Sequence, residues 1–228
     1  MEDHRGSATG SLLTYLEPAD REFLFSRSLR RSYRAGELLL HQGDPSNHVL
    51  VIVSGWVRVY CSTSDGHDFL FTLRGPGDLI GELAALGGWP RMGTVQTLES
   101  VTAMQLIQEQ FAACLRERPS IAMSLIKLMS ERLREANAMM VEIATLDVPR
   151  RVAACLWRLI QQHGVRERGE FVLRIPLTQR DIANRIGASP RAVARSLATL
   201  RKRRIVATHP HRIVVADLEA LSRFARPE

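Results

Sequence analysis

Apolar residues along the chain fall into two regimes with different periods. From about Tyr33 to Ile107 they come in short runs: LLLH (38–41), VLVIVS (49–54), WVRVYCS (56–62), DFLFTL (68–73), TVQTL (94–98) and VTAMQLI (101–107). These runs are rich in β-branched, aromatic and leucine residues, and the breaks between them (AG, QGDPSN, SG, SDGH, GPGD, GG) carry the residues that turn a chain. Strands at such even spacing predict an antiparallel barrel or roll. A short helical lead-in is expected before them, from Tyr15 to about Leu29.

From Gln108 to Leu146 glycine disappears, Pro119 is the single proline, and the apolar period lengthens. Leu125, Met129, Arg132, Ala136, Met139, Ile143 and Leu146 follow steps of four and three, with only Arg132 polar. The pattern predicts one long helix with a seam for a partner helix, and Leu125, Met129, Arg132, Ala136, Met139 and Ile143 are its candidate dimer contacts. Packing of the same stripe on the chain's own β-domain is the alternative. Asp147-Val148-Pro149 ends the helix and makes a hinge. The expected organisation is α+β: a roll with its lead-in over 1–110, a dimerisation helix and hinge over 111–147, and a third module over 148–228.

Charge then separates the modules. The first 147 residues carry 14 Lys and Arg against 18 Asp and Glu, whereas the last 81 carry 17 against 6. The chain's net charge of +7 therefore originates wholly in the C-terminal module, which suits a polyanion, with nucleic acid the first candidate. Within that module Thr178 and Asp181 form a capping box, Gly187 supplies a tight turn, and Ser189 with Pro190 starts a second helix. Val193, Leu197 and Leu200 give this helix an apolar face to set on Ile182, Ala183 and Ile186, the arrangement of a helix-turn-helix. Arg191 and Arg195 lie one turn apart on another face, able to fork onto guanine or hold phosphates. Thr178 and Ser189 are candidate phosphate contacts, joined by Pro190 at the helix start and by Lys202 in the basic run RKRR (201–204). The segment IVATHPHRIVV (205–215) reads as a two-stranded wing.

The same inventory narrows the function classes. Cys61, Cys114 and Cys155 stand far apart without a C-x-x-C pair, which argues against a disulfide framework and a cysteine-built zinc site. No apolar run approaches a membrane span and the first ten residues are polar, so a cytoplasmic protein is expected. No HExxH, GxSxG or Walker loop occurs, and no enzyme is expected.

Taken together, GELLLHQGD (36–44), VIVSGWVRVY (51–60), GPGDLIGELAALGGWPR (75–91), LDVPRRVA (146–153) and the winged helix-turn-helix resemble the Crp/Fnr family of bacterial transcription regulators. The resemblance implies a β-roll sensor resembling a cyclic-nucleotide-binding domain, a long dimerising helix and a C-terminal winged helix. It further implies a homodimer on palindromic double-stranded DNA, with RNA polymerase as a further partner. In members that bind cyclic AMP, Gly81 and Glu82 match the phosphate cassette, Leu83 follows within it, and Arg91 matches the arginine on the cyclic phosphate. Two positions depart from that pattern. Met92 replaces a hydroxyl donor, and Ala136-Asn137 replaces the pair that contacts adenine, leaving Asn137 able to meet a base edge. Cyclic AMP, another small effector, or a constitutive dimer with a degenerate pocket all remain open at this stage, and no metal is expected. Arg191 stands where the family usually has a glutamate, which implies a half-site different from TGTGA.

Overall fold

A computed structural model describes residues 10–45, 47–209 and 212–226. Two short helices lead in, α1 (Leu12–Tyr15) and α2 (Pro18–Ser26). The strands then follow in order: β1 (Leu29–Tyr33), β2 (Leu38–Leu40), β3 (His48–Ser54), β4 (Val57–Ser62), β5 (Asp68–Arg74), β6 (Leu79–Ile80), β7 (Thr94–Thr97) and β8 (Val101–Ile107), with α3 (Glu82–Gly87) between β6 and β7. They form two four-stranded antiparallel sheets, ordered β1-β8-β3-β6 and β2-β7-β4-β5. The roll expected from the alternating runs is therefore present. Leu50, Ile52, Val57, Ile80, Val95 and Ala103 fill its interior.

Three local expectations change. The lead-in stops short of Leu29, because Ser28 turns back onto the Phe25 carbonyl with both its amide and its hydroxyl. Leu29–Tyr33 then pairs with β8, a distant strand that no local pattern announces. The expected single helix from Gln108 is two helices, α4 (Gln108–Glu117) and α5 (Pro119–Thr145). Arg118 between them has φ −128° and ψ 85°, the extended state imposed on a residue that precedes proline. Finally, the break between DFLFTL and TVQTL, read as turn from GPGD and GG, also holds the short helix α3 (Glu82–Gly87).

The chain divides into two compact units, Gly10–Leu133 and the part from Arg134 onward, so the division falls inside α5. In the first unit Ile121, Leu125 and Leu128 of α5 are buried with Leu12, Leu16, Leu24, Leu79, Leu106 and Phe111, and Met129 packs against them. Two positions of the expected partner seam thus face the chain's own core. The second unit holds α6 (Val148–His163), β9 (Val165–Glu167), β10 (Glu170–Leu173), α7 (Gln179–Ile186), α8 (Pro190–Lys202), β11 (Val206–His209), β12 (Arg212–Val215) and α9 (Leu218–Ala225). Its sheet runs β11-β12-β10-β9, and α6 packs on α7, α8 and α9. Asp147 caps α6 by accepting from the Arg150 amide, with Pro149 in the first turn.

Candidate functional site

Gly81 sits between β6 and α3 in the left-handed region, at φ 87°. A Cβ there would lie 2.5 Å from Arg91 Nη1, so glycine is needed both for the backbone and for the space. Arg91 is held from both ends. Its amide donates to the Asp44 carbonyl at 2.8 Å and its carbonyl accepts from the Gly43 amide at 2.9 Å, which fastens the turn after α3 to the turn after β2. Its side chain reaches under α3: Nη1 donates to the Gly81 carbonyl at 2.8 Å and Nη2 to the His48 carbonyl at 2.6 Å. Arg91 is 5% exposed. Burial pulls its guanidinium pKa down, with Glu82 and Asp44 opposing, and the same burial together with Arg91 lowers the His48 imidazole.

Glu82, equally buried, does not bond Arg91. Its Oε1 accepts from Arg132 Nη1 at 2.7 Å, while Arg132 Nη2 donates to the Leu79 carbonyl at 2.8 Å and lies 3.4 Å from Asp78 Oδ1. The lone charge in the apolar stripe of the long helix is therefore a partner of the cassette and turns away from the expected seam. Its isolation among apolar neighbours was the signal, but only the fold supplies the carboxylates it meets. Met92 and Leu83 are exposed, at 61% and 46%, and Met92 offers no donor. Ala136, Asn137, Met139 and Ile143 lie on the part of α5 that belongs to the second unit, Ala136, Asn137 and Ile143 exposed and Met139 half-buried. The structure therefore brings Gly81, Glu82, Arg91 and Arg132 together in one unit, and Asn137 stands in the other.

In the second unit both halves of the Thr178–Asp181 capping box are made. The Asp181 amide donates to Thr178 Oγ1 at 3.1 Å and the Thr178 amide to Asp181 Oδ2 at 2.9 Å. The Thr178 hydroxyl donates to the same carboxylate oxygen, so it is already engaged within the chain. Gly187 ends α7 at φ 62°, and Ser189 caps α8 by accepting from the Ala192 amide, with Pro190 in the first turn. Val193, Leu197 and Leu200 are buried, as are Ile182, Ala183 and Ile186. Arg191, Arg195 and Lys202 are exposed, and among the described residues neither Arg191 nor Arg195 has a side-chain partner. Arg201 differs: its Nη1 donates to Thr208 on β11 at 2.8 Å, tying the end of α8 to the wing. The wing tip, residues 210 and 211, lies outside the described residues.

Comparison with known proteins joins these two halves. Residues 30–118 match the model of the cyclic nucleotide-binding domain and residues 150–224 that of the Crp-like helix-turn-helix domain. The chain is 30% identical over 220 residues to the CRP-like cAMP-activated global transcriptional regulator of Mycobacterium tuberculosis, covering 96% of this chain and 93% of the relative. The chain belongs to the Crp/Fnr family. It is also 28% identical to the cyclic AMP receptor protein of Thermus thermophilus, over 92% of this chain and 94% of the relative. Among solved structures FixK2 from Bradyrhizobium japonicum shares the fold, with a TM-score of 0.78 at 21% identity, over 88% of this chain and 98% of that one. This Crp/Fnr chain is a transcription regulator that combines a cyclic-nucleotide-binding domain with a DNA-binding helix-turn-helix domain. No helix among the described residues is long and apolar enough to cross a membrane, and no described cluster of His, Cys, Asp and Glu could hold a metal.

Proposed function

We propose that the protein is a homodimeric, operator-binding regulator whose roll takes a cyclic nucleotide in the Gly81–Arg91 cassette. The bonding of Arg91 carries this reading. Among the described residues its guanidinium meets two carbonyls and no carboxylate, so it keeps a positive charge that neutral dipoles do not cancel, and three of its five N–H donors have no partner among those residues. An anion against it completes the site through charge-assisted bonds. Nearby, Glu82 gives one oxygen to Arg132, and the other accepts from no described residue. A fixed cation beside a free carboxylate acceptor suits a ligand with one anionic group and one hydroxyl, which is the chemistry of a cyclic phosphodiester on a ribose. Met92 supplies no further bond, so affinity is expected below that of a cassette with a hydroxyl there, by about 0.5–3 kcal/mol.

Isothermal titration of the purified chain with cyclic AMP, cyclic GMP and cyclic di-GMP tests the reading. Heat with a cyclic nucleotide that vanishes in Arg91→Gln supports it. Silence with all three overturns it and leaves a constitutive DNA-binding dimer as the function.

The dimer contact is best carried by the outward face of α5. Met123, Ile126, Ser130, Leu133, Asn137, Met140 and Ala144 recur in alternating steps of three and four, and every one is exposed. Leu125, Met129 and Arg132 are taken up by the chain's own unit, so the seam shifts by about one position from the stripe read off the sequence. On DNA, the unpartnered Arg191 and Arg195 at the start of α8 are proposed to read bases, with Lys202 on phosphates. Arginine donates and cannot accept, so Arg191 cannot take the cytosine amino bond that a glutamate takes, and the half-site is proposed to differ from TGTGA there.

A further inference from the structure

One face of α6 carries polar residues where a buried helix is expected to be apolar. Arg151, Cys155, Arg158 and Gln162 are spaced by four, three and four residues and line a single seam. At one end of the seam the last turns of α5 come alongside. Arg158 Nη2 donates to both oxygens of Glu142, at 2.5 and 2.6 Å, with the two side chains only 11% and 14% exposed. Gln162 donates to Glu135, two turns earlier on α5. The crossed order of these pairs is that of two antiparallel helices, joined here through Leu146 and Asp147. At the other end the seam meets α7. Arg151 Nη1 donates to the Ile186 carbonyl at 2.8 Å, beside the Gly187 turn, and the buried Arg185 of α7 stands beside the buried Cys155.

We propose that this seam is the positioning element of the DNA-binding module. The Glu142–Arg158 pair fixes the end of the long helix against α6, and Arg151 and Arg185 carry that register to the helix-turn-helix. The polar seam suits this task because a buried ion pair is exacting about geometry. Apolar packing tolerates small slides, whereas a chelated carboxylate that slips leaves two uncompensated charges out of water. Such a pair selects one arrangement of the helices over its neighbours. Since α5 also carries the proposed dimer contact, the seam sets the separation at which the two α8 helices of a dimer meet DNA. The proposal rests on the dimeric reading given above, and Arg158 and Glu142 are positioning residues that need not touch DNA.

The test is operator selection with the full chain from a random duplex library that contains half-sites at variable separation, followed by binding to the wild-type operator and to a random-sequence duplex. Wild type is expected to enrich one separation. Glu142→Gln and Arg158→Gln are expected to enrich several, and to bind the wild-type operator about tenfold or more weakly, while their affinity for the random duplex stays within about twofold. The reciprocal swap Glu142→Arg with Arg158→Glu, made together with Arg226→Gln because Arg226 lies 3.9 Å from Glu142 and would face the new arginine, is expected to restore a single separation. Variants that keep the wild-type separation and affinity overturn the proposal, as does an equal loss on both duplexes. If the single variants do not fold by circular dichroism, the swap is read alone, and a folded swap with a broadened separation overturns it. A wild-type selection without two-fold symmetry removes the dimeric reading and this proposal with it.

Discussion

At Gly81 a single hydrogen atom in place of a side chain decides whether Arg91 can reach its carbonyl partners. Its φ of 87° strains any L-residue by roughly 1–2 kcal/mol, and a Cβ would also press on Arg91 Nη1 at 2.5 Å. Gly81→Ala is therefore expected to lower the thermal midpoint and to abolish cyclic-nucleotide heat in titration. The two costs can be separated by a double-mutant cycle. Adding Arg91→Ala removes the clash and leaves the backbone strain, so the effects of the two changes on stability should sum to more than the effect of the pair. Strict additivity would show that Arg91 does not press on position 81.

At the scale of elements, α5 is divided between two tasks by the angle around its axis. Ile121, Leu125 and Leu128 close the core of the roll, while Met123, Ile126, Leu133 and Met140 look outward. Leu133 is 63% exposed, so Leu133→Glu is expected to leave circular dichroism unchanged. It should nonetheless convert the proposed dimer to monomer in light scattering, because two opposed carboxylates in an apolar seam are strongly disfavoured. A Leu125→Glu change should instead unfold the first unit, since that side chain is 5% exposed within it. The sequence showed one apolar stripe on this helix, from Leu125 to Leu146, but not whether a partner helix or the chain's own roll covers it. Periodicity reports that residues share a face, and the neighbour that covers the face comes from elsewhere in the chain.

Across the whole molecule, the basic excess of the last 81 residues and Arg191 and Arg195 of α8, which have no side-chain partner among the described residues, are proposed to make different contributions to DNA binding. Arg195→Ala is expected to cost about 1–3 kcal/mol on the selected operator and to relax preference at one base pair. Lys202→Ala should weaken all sequences alike and reduce the slope of log affinity against log salt by about 1. Anisotropy titrations at several salt concentrations with both duplexes separate the two. An Arg195→Ala variant that weakens every sequence equally would make Arg195 a phosphate contact.

Features made by residues a few positions apart were determined by the sequence itself. The Thr178–Asp181 box, the Gly187 turn, the Ser189 cap with Pro190, and the alternating strands all follow from local backbone chemistry, and each stands in the structure where the residues put it. Tertiary structure decided the partners. Glu82 meets Arg132 and not Arg91, Leu29–Tyr33 becomes a strand because β8 has an edge to pair, and the polar stripe of α6 acquires its role from Glu135, Glu142 and Arg185. A local pattern fixes φ, ψ and the face on which a side chain stands. The charge or surface that answers that side chain lies tens of residues away, and only the folded chain brings the two together.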